Sequence, residues 1–233
     1  DVPALVAVVR AANEGRARPA VTVLDNTWGA GIAFNAFDLG VDVSMQALTK
    51  YPSGGADVLM GSVVTRDEAL HRAVLLCHMR LGLGIGANDA ELVLRGLPTM
   101  ALRYQAQDVT ARALASWMQG QPGVAQVLHP ALPGSPGHDT WRRDAKAAAC
   151  LFSVAFDPAI DQTRIDAFCD ALRLFKLGWS WAGPISLCAP YNVSAIRTLG
   201  WPHAGGLVRF AVGLEALGDL QADLAQALPA LLA

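Results

Sequence analysis

Lysine is scarce in this chain. Of 18 lysines and arginines in 233 residues, only Lys50, Lys146 and Lys176 are lysines, so the place of each calls for a reason. Other absences narrow the function. No basic stripe interleaved with aromatics occurs, and the formal net charge is only −2. Electrostatics therefore makes no case for binding nucleic acid or an anionic membrane. No apolar run approaches the roughly 18 residues needed to span a bilayer, and no signal peptide opens the sequence. The four cysteines, Cys77, Cys150, Cys169 and Cys188, show no C-x-x-C spacing and are expected as buried reduced thiols rather than as disulfides or metal ligands. The five histidines include no H-x-x-x-H or H-E-x-x-H pair, so no metal site is expected. Internal repeats and low-complexity tracts are also missing. The expectation is a soluble, cytoplasmic protein.

What is present suits a well-buried α/β protein: 53% of residues are hydrophobic and 16% charged. Asp1 followed by Val2 and Pro3 reads as an N-cap with proline in the first turn, opening a helix to about Ala12. "PAVTVLDNTWG" reads as a short buried strand ending at Asp25, and "GIAFNAFDLG" as a helix stopped by Gly40. "VDVSMQAL" is a second strand running into Lys50, and "DVLMGSVVT" a third. Continuous Val/Leu strands separated by helical segments predict a parallel sheet buried on both faces.

From Arg66 to about Met118 the pattern is helical, interrupted by "LGLGIGAND", after which Asn88 or Asp89 is placed to cap a long helix. The glycines at 82, 84 and 86 follow no predicted strand, so they read as a connection rather than a phosphate loop. "PGVAQVLHPALPGSPGHDTW" reads as an inter-domain segment. Beyond it lie strand "LFSVAF", a helix over 162–173, strands "ISLCAP" and "LVRFAVG", and a closing helix "LGDLQADLAQALPALL". The expected organisation is an α/β part built on the parallel sheet over residues 1–120 and an α+β part over 121–233.

Ligands of parallel sheets bind outside the carboxyl ends of the strands, and Asp25 and Lys50 both fall at such ends. A buried lysine is costly as a cation unless it is paired or works as a neutral amine. A lysine of lowered pKa can form a Schiff base with a carbonyl. An aspartate can keep a pyridine nitrogen protonated. Those are the two groups that pyridoxal phosphate demands of a protein. Thr49 offers a hydroxyl to a phosphate, and the glycine loop after it offers amides. A structural ion pair between Asp25 and Lys50 is the competing reading.

"DNTWGAG" followed by "DVSMQALTKYPSGGAD" resembles the cofactor segment of the Cys/Met-metabolism family of pyridoxal-phosphate enzymes, of fold type I. Further stretches match in the same order: "VPALVAVVR", "LVLRGLPTMALR", "HPALPGSPGHDTWRRD", "LFSVAF", "SWAGPISL" and "VRFAVGLE". The resemblance implies that the chain is the C-terminal half of a fold type I large domain, a mostly parallel sheet with helices on both faces, followed by the smaller α+β domain. It also implies pyridoxal 5'-phosphate as cofactor, with Lys50 as the Schiff-base lysine and catalytic base. Asp25 becomes the partner of the pyridine nitrogen and Thr49 a phosphate-binding hydroxyl. Arg209 becomes the clamp on the substrate α-carboxylate, with Ser180 and Trp181 on the adjoining loop.

The implied activity is a carbon–sulfur β-lyase acting on L-cystathionine, in methionine biosynthesis; a γ-acting relative, or a chain inactive by itself, is the alternative. Departures from the family pattern are Gly55 where histidine is usual, Pro52 where an apolar residue is usual, and Ile185 at an acidic position. The family has a further N-terminal part that this sequence does not include. Association with such a fragment, or with further copies as a homo-oligomer, is therefore expected besides a small amino-acid substrate.

Overall fold

The computed structural model describes residues 1–201 and 205–232. The chain divides into two compact units, Asp1–Ala101 with Arg143–Ala147, and Leu102–Arg142 with the chain from Ala148 onward.

In the first unit, α1 (Val2–Asn13) begins as the sequence predicts. The Ala4 N–H donates to Asp1 Oδ1 at 3.1 Å, with proline in the first turn. Its Val6 packs against Ala36 and Val41. Strands β1 (Val23–Asp25), β2 (Val43–Ala47) and β3 (Gly61–Thr65) form a sheet in that order. β1 and β2 are parallel, with Asp25 opposite Met45, whereas β3 runs antiparallel to β2. The sheet read as parallel from its strand pattern is thus mixed, reversing direction at its third strand. Loop rather than helix separates β2 from β3, and a parallel return would need a long crossover. Val23, Val63 and Val64 are 58%, 50% and 51% exposed, so this sheet is not buried on both faces within this chain.

The helix expected over "GIAFNAFDLG" shrinks to a 3₁₀ turn at Ala36–Leu39. Ala30 and Gly31 have φ of 53° and 69°, which breaks the helix before it starts. The Asn35 side chain then caps the short turn by accepting from the Phe37 N–H at 3.1 Å. Helix α2 (Glu68–Arg80) is capped by Asp67 and buries none of its residues. Its Cys77 is exposed, against the expectation of a buried thiol. Helix α3 (Ala87–Gly96) starts after Gly86 with no side-chain cap, so Asn88 and Asp89 lie inside its first turn.

The second unit takes most of α4 (Met100–Met118), then β4 (Val124–Leu128), the start of α5 (His138–Asp144), β5 (Leu151–Phe156), α6 (Gln162–Ala171), β6 (Lys176–Leu177), β7 (Leu187–Tyr191), α7 (Val193–Ile196), β8 (Leu207–Ala211) and α8 (Leu217–Leu232). Its sheet order is β4-β5-β8-β7-β6. The passage read as an inter-domain segment therefore holds an edge strand, β4, paired antiparallel with β5 through a bulge at Val124/Gln126. Phe210 on β8 centres the core. It stacks on Phe152 at 5.0 Å and meets Phe168 and Phe175 edge-on at 6.4 and 5.3 Å. The buried Asp223 of α8 accepts the Arg173, Leu174 and Phe175 N–H groups at 2.8, 2.7 and 3.1 Å, fixing the turn into β6.

Two buried features yield measurable consequences. His129 is fully buried, and the Ala131 N–H donates to its Nδ1 at 3.3 Å, which leaves the ring proton on Nε2. Burial, reinforced by the Arg112 charge and opposed by Asp108, pulls its pKa down to about 4. Between that value and the unfolded one near 6.5 the unfolded chain binds more protons, so stability falls as pH falls through this window. The loss is roughly 1.4 kcal/mol per pH unit. Thermal unfolding followed from pH 7 to pH 4.5 should show this decline, and His129→Gln should flatten it.

Gly96 ends α3 so close to the preceding loop that a Cβ would lie 2.2 Å from the Pro52 carbonyl oxygen and 2.4 Å from that of Ser53. Both are backbone atoms and cannot rotate aside. Gly96→Ala should therefore cost about 1–3 kcal/mol, read by denaturant unfolding.

Candidate active site

The parallel pairing of β1 and β2 carries both carboxyl ends to one edge of the sheet. Just beyond the strands the Asn26 N–H donates to Met45 O at 2.7 Å, and the Ala47 N–H donates to Thr27 Oγ1 at 2.9 Å. The Thr27 hydroxyl in turn donates to Asp25 Oδ1 at 2.5 Å, and the Thr27 N–H to the same oxygen at 2.9 Å. One carboxylate oxygen of Asp25 is thus held by the protein, while Oδ2 accepts no hydrogen bond among the described residues. Asn26 is only 4% exposed, and its Oδ1 also has no partner among the described residues.

β2 ends at Ala47, three residues before the lysine. The chain then folds back through the Lys50 N–H to Ala47 O at 3.2 Å, the Ser53 N–H to Leu48 O at 3.0 Å and the Gly54 N–H to Lys50 O at 3.0 Å. Ser53 Oγ donates to Thr49 O at 3.1 Å. The Leu48 N–H meets Met60 O at 2.8 Å, and the Met60 N–H donates to Thr49 Oγ1 at 3.2 Å. These bonds close the loop on its own backbone. Tyr51 anchors it, wholly buried, while Lys50 is half-buried.

Asp25, Thr49 and Lys50 therefore share the first unit, while Ser180, Trp181 and Arg209 share the second. Arg209 lies in the middle strand β8, opposite Ser153 of β5 and Ala189 of β7. Its Nη2 donates to the carbonyls of Trp179 and Ser180 at 2.7 and 3.2 Å. Its Nε is shielded from solvent without a partner among the described residues.

The loop bearing Ser180 and Trp181 is held from behind. Gln107 of α4 donates through Nε2 to Gly183 O and Val212 O at 2.8 and 3.1 Å. Glu215 accepts both the Ser186 N–H and its hydroxyl, at 2.7 and 2.8 Å. Sequence reasoning missed Gln107, Ser186, Glu215, Thr27 and Met60 as supports. The D-x-T step after a strand is a legible signal for Thr27, because a Thr two residues after Asp can return a hydrogen bond; the others depend on contacts distant in sequence.

These groups suit a ring nitrogen and a carbonyl more than a metal. A carboxylate with one open oxygen accepts an N–H, and an amine on a closed loop presents a nucleophile. Among the described residues no group of three His, Cys, Asp or Glu stands together as metal ligands. No helix among them is long and apolar enough to cross a membrane.

Comparison with known proteins points the same way. A cystathionine β-lyase of Escherichia coli is 37% identical over 232 residues, covering 96% of this chain and 56% of its own length. A methionine γ-lyase from Micromonospora echinospora superposes with a TM-score of 0.83 at 35% identity, covering 98% of this chain and 59% of its own. A cystathionine γ-synthase from Xanthomonas oryzae pv. oryzae, solved in complex with cystathionine, gives 0.86 at 33% identity, covering 97% and 59%. The chain spans about half the length of the curated relatives it matches. The family model described as Cys/Met metabolism PLP-dependent enzyme matches residues 1–229, so this chain belongs to that family, whose cofactor is pyridoxal 5'-phosphate.

Proposed function

We propose that this chain supplies the cofactor lysine and the substrate carboxylate site of a carbon–sulfur β-lyase acting on L-cystathionine. The observation that carries the reading is the shared carboxyl edge of β1 and β2, with Asp25 at one strand end and Lys50 just beyond the other. The family's cofactor fits the donor set there: Lys50 and Asp25 would hold it, with Thr49 beside its phosphate. When bound, pyridoxal phosphate supplies an electron sink for negative charge at the substrate Cα.

The protein's own groups then divide the remaining work. Asp25 Oδ2 would accept the cofactor's ring N–H and keep that proton in place, while Thr27 holds the carboxylate in a single orientation through Oδ1. Lys50 Nζ would take the substrate Cα proton as general base. Arg209 receives the α-carboxylate, with Ser180 and Trp181 on the loop whose main chain already holds its Nη2. Cleavage at Cβ with uptake of one water gives homocysteine, pyruvate and ammonia. The γ-acting reading draws on the structural likeness to a γ-lyase and a γ-synthase. γ-Cleavage of the same substrate, again with uptake of one water, gives cysteine, 2-oxobutyrate and ammonia instead, so analysis of the 2-oxo acid formed from L-cystathionine decides between the two.

In the protein carrying this sequence, Lys50→Ala should abolish turnover while circular dichroism shows the fold retained. Borohydride treatment of the unsubstituted protein should fix the cofactor to Lys50, located by peptide mass. Normal turnover by the alanine variant would exclude Lys50 as the anchor. Asp25→Asn should keep the cofactor bound yet slow turnover on the order of 10²-fold, because a neutral amide cannot balance the ring's positive charge. An unchanged kcat would show that the ring proton is held elsewhere.

A further inference from the structure

We infer that Tyr191 positions the Arg209 guanidinium, so that Tyr191, Trp179 and Arg209 together make the seat for an amino-acid α-carboxylate. The inference rests on the proposed role of Arg209 and adds two residues to it.

The strand register brings Tyr191 to Arg209. On β7, Ala189 lies opposite Arg209 and Tyr191 opposite Leu207, so Tyr191 stands on the same face two residues along, within diagonal reach of a long side chain. The residues directly opposite Arg209, Ser153 and Ala189, are small and cannot brace it. Tyr191 can: Arg209 Cζ lies 5.8 Å from the centroid of its ring, inside the range at which a ring face attracts a guanidinium.

The ring is itself held. Trp179 meets it edge-on, with centroids 4.9 Å apart and planes at 84°, although Trp179 is 67% exposed. The carbonyl of that same Trp179 accepts from Arg209 Nη2 at 2.7 Å. The three residues therefore close a triangle: Trp179 touches Arg209 through its main chain and Tyr191 through its side chain, and Tyr191 faces the guanidinium. A guanidinium fixed by carbonyls and braced by a ring loses its rotational freedom before any ligand arrives. Its Nη1 makes no hydrogen bond among the described residues and remains to receive an anion, whereas Nε is shielded from solvent. Preorganisation of this kind raises affinity by removing the ordering cost from the binding step.

The test uses the cofactor-loaded protein that carries this sequence. L-Alanine, an amino acid without a leaving group, is the probe by calorimetry, and KM and kcat are measured with L-cystathionine. Tyr191→Leu should weaken L-alanine binding and raise KM by roughly tenfold with kcat within about twofold. Tyr191→Phe, which keeps the ring, should recover most of that affinity. Tyr191→Met carries the same expectation as the leucine variant should the latter fail to fold. Arg209→Ala should weaken L-alanine binding on the order of 100-fold.

If Arg209→Ala weakens binding but neither ringless variant does, Tyr191 has no positioning role and the inference is overturned while the role of Arg209 stands. If Arg209→Ala leaves L-alanine binding intact, the carboxylate role of Arg209 falls and takes the inference with it. A fall in kcat at unchanged KM in the ringless variants would likewise overturn it.

Discussion

The parallel pairing of β1 with β2 is the constraint on which the candidate active site depends. Parallel neighbours end on the same side of a sheet, so residues at the two carboxyl ends share an edge however far apart they stand in sequence. β1 is only three residues long, and so short a ladder would slip easily. Two hydrogen bonds past its end secure it: the Asn26 N–H to Met45 O, and the Ala47 N–H to Thr27 Oγ1. Each is worth only about 1 kcal/mol net. Their value lies in register, because a one-residue shift would turn Asp25 to the other face of the sheet.

The loop after β2 continues the same logic by a different route. A lysine on a free loop would sweep a large volume, and an amine so placed reacts slowly for want of orientation. Here Thr49, Lys50 and Ser53 are stitched to Ala47, Leu48, Gly54 and Met60 by backbone and hydroxyl bonds. The buried Tyr51 ring and the close approach of Gly96 leave the loop little room to rearrange. The glycine is needed for that approach: any larger residue at 96 would push α3 off the segment that follows the lysine.

Strands β1, β2, β5, β7 and β8 were legible because each lies in a mostly apolar run bounded by turn residues, a pattern that local sequence carries by itself. Asp25 and Lys50 stand out in the sequence for the same reason, since Asp25 closes one run and Lys50 follows the end of the other strand by three residues. Strand direction was not: β3 reads like a parallel strand, and only the missing crossover helix betrays its reversal. β4 was hidden by the prolines and glycines around it, although Gln126 to Leu128 pair regularly with β5. The burial of Cys77 was misjudged because α2 looks amphipathic yet buries nothing within this chain. Tyr191 is illegible for a deeper reason. Its relation to Arg209 is a diagonal across two strands, and no spacing along the chain encodes a cross-strand register.

One device recurs at both ends of the proposed chemistry. Asp25 commits Oδ1 to Thr27 and keeps Oδ2 uncommitted, and Arg209 commits Nη2 to two carbonyls and keeps Nη1 uncommitted, among the described residues. A multidentate group used this way is oriented by the protein through one atom and offered to a ligand through another. The cost differs between the two sites. Asp25 is exposed within this chain, so water can satisfy its open oxygen. Nε of Arg209 is shielded, and a buried donor without a partner destabilises the fold that holds it. Under the proposed role of Arg209, a carboxylate brought to that edge by a local shift would relieve the penalty, and part of the ligand affinity would then come from the stability of the empty protein. In that reading the Tyr191 ring facing the guanidinium would keep it from turning toward water and satisfying itself there.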